Sequence, residues 1–226
     1  MRRVVEKSFK GVVIRLVKDS RIYMPSMATS LIAKNLPNLN GLDVLDLGTG
    51  SGVLAILASK LGARRVIGID ISRRAIRTAE RNAAMNNACI EFRVGDLYEP
   101  VKDEVFDLII CNPPMTPSKH PLPRFTWGGV DGRAVLDRAI CEAPRHLKDR
   151  GTLLVPVVSL VGIGRTWRLF REVGLKPEVI DYSIHPFGDT LLGLIDHLRN
   201  LPEADYIYDS FGRPCWRIVL FKAVKP

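Results

Sequence analysis

Between Val44 and Ile56 the chain reads VLDLGTGSGVLAI: an apolar strand that breaks on three glycines, Gly48, Gly50 and Gly52, and resumes as a compact apolar helix. Glycine at such a turn permits positive φ and lets a ligand approach the backbone, while the amino end of the next helix offers free N–H groups. This unit is one of a series. Strand patterns at 43–48, 64–70, 89–96 and 105–112 alternate with helical stretches, GVLAILASKLGA and SRRAIRTAERNAAMNN, the second with Ser72 as its N-cap. A Pro-rich loop follows, then a helix from about Asp131 to Leu147, the strand TLLVPVVS and a helix near Gly164 to Val173. Such alternation predicts an α/β fold with a doubly wound, mostly parallel sheet and helices on both faces, and ligands bind beyond the carboxyl ends of its strands.

The flanks are less regular. From Phe9 to Met24 the pattern reads as two extended segments around the polar turn KDSR, followed by a helix over Ser26 to Leu36. Residues 1–40 are expected to form a basic extension packed on a catalytic domain spanning 41–226. The tail predicts a strand near Lys176 to Ile184, a short helix near Thr190 to Leu201 and a last strand from Cys215 to Ala223.

At 226 residues and 46% hydrophobic, the composition suits one globular domain. No apolar stretch reaches the roughly 18 to 20 residues that cross a bilayer, and Glu6 and Lys7 interrupt the basic start, so no signal peptide and a cytoplasmic location are expected. Cys89, Cys111, Cys141 and Cys215 are widely spaced and read as reduced thiols, with no metal site. The chain has no Gln, and Arg outnumbers Lys 22 to 11, which fits a thermophile. Net charge is +9; residues 1–22 hold seven Lys/Arg against Glu6 and Asp19, an excess that attracts polyanions, RNA above all.

Three acids and the glycines form a constellation. Gly50, Gly52 and Ala55 satisfy GxGxxA, and Asp70 lies 20 residues after Gly50, a spacing that also suits a dinucleotide-dependent oxidoreductase. Asp46, however, stands inside the first strand, where it could organise the loop or reach a ligand's amino group. Asp96 ends the third strand, placed to accept from an adenine amino group. In this order the motifs resemble the class I S-adenosylmethionine-dependent methyltransferases, over roughly Tyr23 to Val158. The resemblance implies a Rossmann-like seven-stranded sheet and S-adenosylmethionine as cofactor, held by Asp46, Gly48, Thr49, Gly50, Gly52, Asp70, Ile71, Asp96, Leu97 and Thr29.

At the end of the fourth strand stands CNPPM, Cys111 to Met115. In the same family an Asn-Pro-Pro-aromatic tetrapeptide marks enzymes that methylate a nitrogen on a planar sp² system. The resemblance implies that the Asn112 side-chain oxygen and the Pro113 carbonyl accept the N–H bonds of the acceptor, with Pro113 and Pro114 fixing the backbone. Two further segments, YMPSMAT with Tyr23, Pro25 and Thr29, and WGGVDG before a helix, resemble the HemK-type glutamine N5-methyltransferases that modify release factors.

The chain departs from that pattern in three places. Met115 replaces the aromatic, Met27 and Ala28 occupy an acidic pair, and Trp127 adjoins Gly128 directly. Two readings of Met115 stand: a thioether packing on the acceptor, or core filler with the stacking ring supplied by Phe125 or Trp127. Tyr23, Met115, Phe125 and Trp127 are therefore the candidate substrate-binding residues. The expected acceptor is a glutamine amide in a release-factor-like protein; an exocyclic base amine of RNA is the alternative. A small activating subunit is kept open as a partner, and a further reading makes the chain itself a non-catalytic cofactor-binding module that only assists a partner.

Overall fold

The computed structural model describes residues 3–19, 21–22 and 24–226. It opens on an antiparallel hairpin, β1 (Val4–Phe9) and β2 (Val12–Val17). The two-residue turn is Lys10–Gly11, with φ of 50° and 78°, the left-handed pair that matches strand twist in a tight hairpin. The sequence reading had placed the turn later, at KDSR. Lys18 and Asp19 instead follow the end of β2, Ser20 lies outside the described residues, and Gly11 sets the turn because it takes the left-handed conformation at no steric cost.

The remaining elements are α1 (Met27–Lys34), β3 (Asp43–Leu47), α2 (Val53–Lys60), β4 (Arg65–Asp70), α3 (Arg73–Met85), β5 (Glu91–Val94), β6 (Phe106–Cys111), α4 (Leu136–His146), β7 (Leu147–Val158), α5 (Ile163–Glu172), β8 (Lys176–Pro186), α6 (Asp189–Leu192), α7 (Ile195–Arg199), β9 (Ile207–Tyr208) and β10 (Pro214–Val224). Ser72 caps α3 as expected, its Oγ accepting from the Ala75 N–H at 3.3 Å. The helix expected from Asp131 starts only at Leu136, because Gly129 and Gly132, at φ of 92° and 76°, turn the chain first.

Seven strands run in the order β5-β4-β3-β6-β7-β10-β8, with the short β9 paired to β10 as an eighth. The pairs among β5, β4, β3, β6 and β7 are parallel; β10 lies antiparallel between β7 and β8. From β3 the chain winds outward through β4 to β5, then returns to place β6 on the other side of β3. This reversal is the switch point of the sheet, and Leu47 and Cys111 are partners in register there. Gly48 and Asn112, the next residue of each strand, therefore emerge side by side.

Period-two alternation divides the sheet between two apolar layers. Leu45, Leu47, Ile109, Leu153 and Phe221 pack with α4 and α5, whereas Val44, Leu108, Ile110, Leu154 and Leu220 pack with α1, α2 and the hairpin residues Ile14 and Leu16. Two buried amides fasten the hairpin to α3. Asn86 accepts from the Arg15 N–H at 2.9 Å and donates to the Arg15 carbonyl at 2.8 Å, as a neighbouring strand would. Asn82, fully buried, accepts from the Val17 N–H at 2.9 Å and donates to the Ser51 carbonyl at 2.8 Å, so one side chain joins the hairpin, α3 and the glycine turn.

Asn82→Ala would leave two buried backbone groups without partners, at about 1–3 kcal/mol each. Urea unfolding is expected to show a loss of about 2–4 kcal/mol, and a loss below about 0.5 kcal/mol would show that water replaces both bonds.

Candidate functional site

The site begins with Asp46. Because Val44 faces α2, so does Asp46 two residues on, and there its carboxylate is buried at 2% exposure. Its Oδ2 accepts from the Thr49 hydroxyl at 2.6 Å and from the Ala55 N–H at 3.0 Å, closing the turn onto the first residues of α2. Burial pushes its carboxyl up to about 6, with the nearby charge of Asp70 acting in the same direction and the two donors opposing.

The three glycines serve different ends. Gly48, Gly50 and Gly52 all have positive φ, at 76°, 55° and 80°. At Gly52 a Cβ would meet the Ala79 Cβ at 3.0 Å, so glycine there lets α3 pack against the start of α2. At Gly48 a Cβ would meet nothing within 4 Å. It would stand in a small pocket lined by Pro25, Thr29, Asp46, Gly48, Thr49, Gly50, Ser51 and Asn112 together with Val53 and Leu54 at the start of α2. Such a cradle, with a buried carboxylate on its wall and no cationic side chain lining it among the described residues, fits a cationic ligand whose body lies close to the backbone.

Asp70 ends β4 beside this loop. Its Oδ2 accepts from the Gly50 N–H at 2.9 Å and its Oδ1 from the Ser72 N–H at 2.8 Å. Burial raises its pKa, while those N–H groups and the Arg124 charge pull the other way. Asp96 follows the end of β5, the strand next to β4, and pairs with Arg138 at 3.0 Å. Ile71 is exposed, and Leu97 is buried at a left-handed φ of 49°. Asp70, Ile71, Asp96 and Leu97 thus lie along adjacent strand ends, outside the lining of the small pocket.

Asn112 lines that pocket and also a second, larger space. The Asn112 Nδ2 lies 3.5 Å from the Thr29 hydroxyl, which itself accepts from the Ser26 N–H at 3.2 Å at the start of α1. On its other side opens a cleft of about 460 Å³ lined by Pro113, Pro114, Met115, Phe125, Leu160 and Trp216, among others. Its lining is apolar apart from Asn112 and a few hydroxyls, and among the described residues no charged side chain reaches it.

The loop after Asn112 folds back on itself. Thr116 donates to the Thr126 carbonyl at 2.8 Å, Gly128 to the Thr116 carbonyl at 3.1 Å, and Ser118 to the Gly129 carbonyl at 3.0 Å. The Trp127 indole N–H donates to the Ser118 carbonyl at 3.0 Å. Trp127 therefore braces the loop and does not line the cleft, contrary to its expected place among the acceptor contacts; Phe125 does line it. Met115 is 7% exposed, packed in the core beneath α4 while still forming part of the cleft floor. Tyr23 lies outside the described residues.

The sequence reading missed the far wall. Trp216 and Ile218 of β10, Val158 at the end of β7, Leu160 just beyond it, and Thr190 and Leu191 of α6 all line the cleft. From the sequence alone Trp216, on the last strand, reads as a core residue and not as a stacking platform. The alternation in CWRIVLF puts Trp216 and Ile218 on one face, but only the insertion of β10 beside β7 brings that face to Asn112.

Comparison with known proteins agrees with this architecture. Residues 25–174 match the family model of the methyltransferase small domain. Over 185 residues the chain is 34% identical to a Methanocaldococcus jannaschii protein named as a protein N5-glutamine methyltransferase, covering 79% of this chain and 93% of that one. Among solved structures it resembles the Thermus thermophilus 16S rRNA N2 G1207 methyltransferase, with TM-score 0.66, 18% identity, and coverage of 99% of this chain and 50% of the other. It also resembles the E. cuniculi Mtq2–Trm112 complex, which methylates the termination factor eRF1, with TM-score 0.59, 20% identity, and coverage of 91% and 99%. At these identities the structural likenesses establish the fold, whereas the family match and the 34% identical relative establish kinship: the chain belongs to the methyltransferase small domain family.

Proposed function

We propose that this methyltransferase transfers a methyl group from S-adenosylmethionine to the side-chain amide nitrogen of a glutamine in a protein. One observation carries the reading. Asn112, followed by two prolines, lines both the small polar pocket and the apolar cleft, so a donor in one and a planar acceptor in the other would meet at its side chain. The 34% identical relative named for glutamine methylation supports the acceptor class. So does the cleft, whose lining among the described residues has no cation to hold a nucleic-acid phosphate. The E. cuniculi neighbour was solved with a second chain, and on that basis a small activating subunit belongs to the proposal.

The cofactor supplies a methyl group already activated on a sulfonium, so the remaining task is to make an amide nitrogen nucleophilic. Its lone pair is delocalised into the carbonyl. The Asn112 side-chain oxygen and the Pro113 carbonyl accept the two amide N–H bonds, which draws electron density onto nitrogen and fixes its direction. The fixed φ of the prolines keeps both acceptors aimed without rearrangement, and the apolar cleft excludes water that would compete for the N–H groups. Asp46, Gly48, Thr49, Gly50, Gly52 and Thr29 hold the amino-acid end of the cofactor. Asp70, Ile71, Asp96 and Leu97 hold its ribose and adenine. Phe125 and Trp216 give flat faces for the acceptor, and Met115 gives the floor between them.

Incubation of a cell extract with the enzyme and tritiated S-adenosylmethionine is expected to label protein, in N5-methylglutamine; label confined to RNA would overturn the acceptor assignment. Asn112→Ala should lower kcat by about 10²- to 10³-fold, the effect of removing one oriented acceptor or donor at a reacting centre, while S-adenosylhomocysteine still binds. Unchanged turnover would mean that Asn112 does not touch the acceptor.

Asp46 gives a pH prediction whose sign can be worked out. A cationic ligand favours the carboxylate, so binding below about pH 6 must first remove a proton from Asp46. Affinity for S-adenosylmethionine is thus expected to be full above pH 7 and to weaken about tenfold by pH 5 in calorimetry, as one proton per site requires. A dissociation constant flat across that range would remove Asp46 from contact with the cofactor's charge.

A further inference from the structure

The basic residues near the amino terminus take no part in the site described above. In the fold they meet a second set. β2 lies along α3, held by Asn82 and Asn86, and the Asp19 carboxylate after β2 pairs with Arg74 in the first turn of the helix. Hairpin and helix therefore run side by side. On α3, Arg73, Arg77 and Arg81 recur every four residues and are all exposed, so they form one row on the open face, about 6 Å apart along the axis. Beside them β2 and its continuation present Arg15, Lys18 and Arg21, also exposed.

Few acids offset this strip. Glu6 pairs with Arg15 at 3.4 Å, Asp19 is buried and shared between Arg74 and Arg21, and Glu80 is the one exposed acid of α3, standing beside the arginine row. Lys18, Arg73, Arg77 and Arg81 have no acidic partner among the described residues. The three unneutralised arginines of the α3 row and Lys18 beside them repel one another, and a linear polyanion laid along the helix would relieve that repulsion. All but one of these cations are arginine, whose planar fork matches a phosphate.

We propose that this face of the hairpin and α3 is a docking surface for the phosphate backbone of duplex RNA. Three features select that partner. No aromatic side chain is exposed on the strip among its described residues, so it has no platform on which single-stranded bases would stack. α3 is packed against β2, β4, β5 and α2, and so cannot project into the major groove of DNA as a free helix does. A broad, flat row of guanidinium groups suits the wide, shallow minor groove of A-form RNA and its flanking phosphates.

The strip lies over the β4–β5 half of the sheet, whereas the acceptor cleft is built on the β6–β7–β10 half. RNA bound here is therefore a site of recruitment and is not brought to Asn112. The inference does not depend on glutamine being the acceptor.

The test is fluorescence anisotropy of a labelled RNA hairpin duplex with the full chain. Binding is expected to weaken about 100-fold between about 50 and 200 mM salt, as release of counterions from roughly four phosphates requires. The triple variant Lys18→Glu, Arg77→Glu, Arg81→Glu should bind RNA at least 30-fold more weakly at the lower salt, with S-adenosylhomocysteine binding and glutamine methylation unchanged. Absence of RNA binding by the wild type, or equal binding by a folded triple variant, would overturn the proposal. Equal competition by polyglutamate, or by a DNA duplex of the same sequence, would overturn the choice of RNA. Absence of glutamine methylation by the wild type, with its RNA binding present and lost in the triple variant, would count against the acceptor assignment and leave the docking surface standing.

Discussion

The carboxylate of Asp46 is the interaction on which the rest of the site depends. A charged group at this depth is costly unless its lone pairs are engaged, and here the Thr49 hydroxyl and the Ala55 N–H engage them from the two ends of one short turn. The same turn is held on its outer side by the Gly48 and Thr49 N–H groups on the Ile69 carbonyl, and by Gly50 on Asp70. Its backbone is therefore fixed before any ligand arrives. The conformational entropy of ordering the loop is lost in folding and does not weaken binding.

Two buried polar side chains extend that order outward, one on each half of the molecule. Asn82 carries it from the Ser51 carbonyl to the amino-terminal hairpin. Arg133 does the equivalent for the acceptor side. Almost wholly buried, it pairs with Asp137 and donates to the Val161 carbonyl and, at 2.9 Å, to the Thr166 hydroxyl. This fixes the turn that carries Leu160 into the cleft. The adjacent Gly132 explains the Gly-Gly-x-Asp-Gly run in packing terms, since a Cβ there would lie 2.6 Å from the Met115 carbonyl and 2.5 Å from Val161.

How much of this could be read from the sequence follows from the range of the interactions. The β3–glycine–α2 unit, the β4 and β6 strands and the Ser72 cap rest on neighbours a few residues apart, and pattern alone located them. Arrangements set by tertiary contact escaped it. The hairpin was placed one strand too late because an apolar run beginning at Val4 carries no partner in its own pattern, and its partner was hidden by a two-residue turn. Trp127 and Trp216 exchanged places for the same reason. An indole near the NPP loop in sequence turned inward to bond the Ser118 carbonyl, while one a hundred residues away was brought to the cleft by a strand insertion.

That exchange bears on Met115, where the chain leaves the family pattern. An aromatic there would supply a stacking face directly after the prolines. In this chain the thioether is committed to the layer under α4, and Phe125 and Trp216 stand at the cleft instead. On the proposed reading, the flat surface absent at Met115 would be supplied by Phe125 and by Trp216 of β10. The parts that would hold the cofactor are encoded in the first half of the chain, and the far wall of the acceptor cleft in the second. On the proposed reading, substitution in the tail would alter acceptor choice without disturbing the carboxylate and glycines around which the fold is ordered.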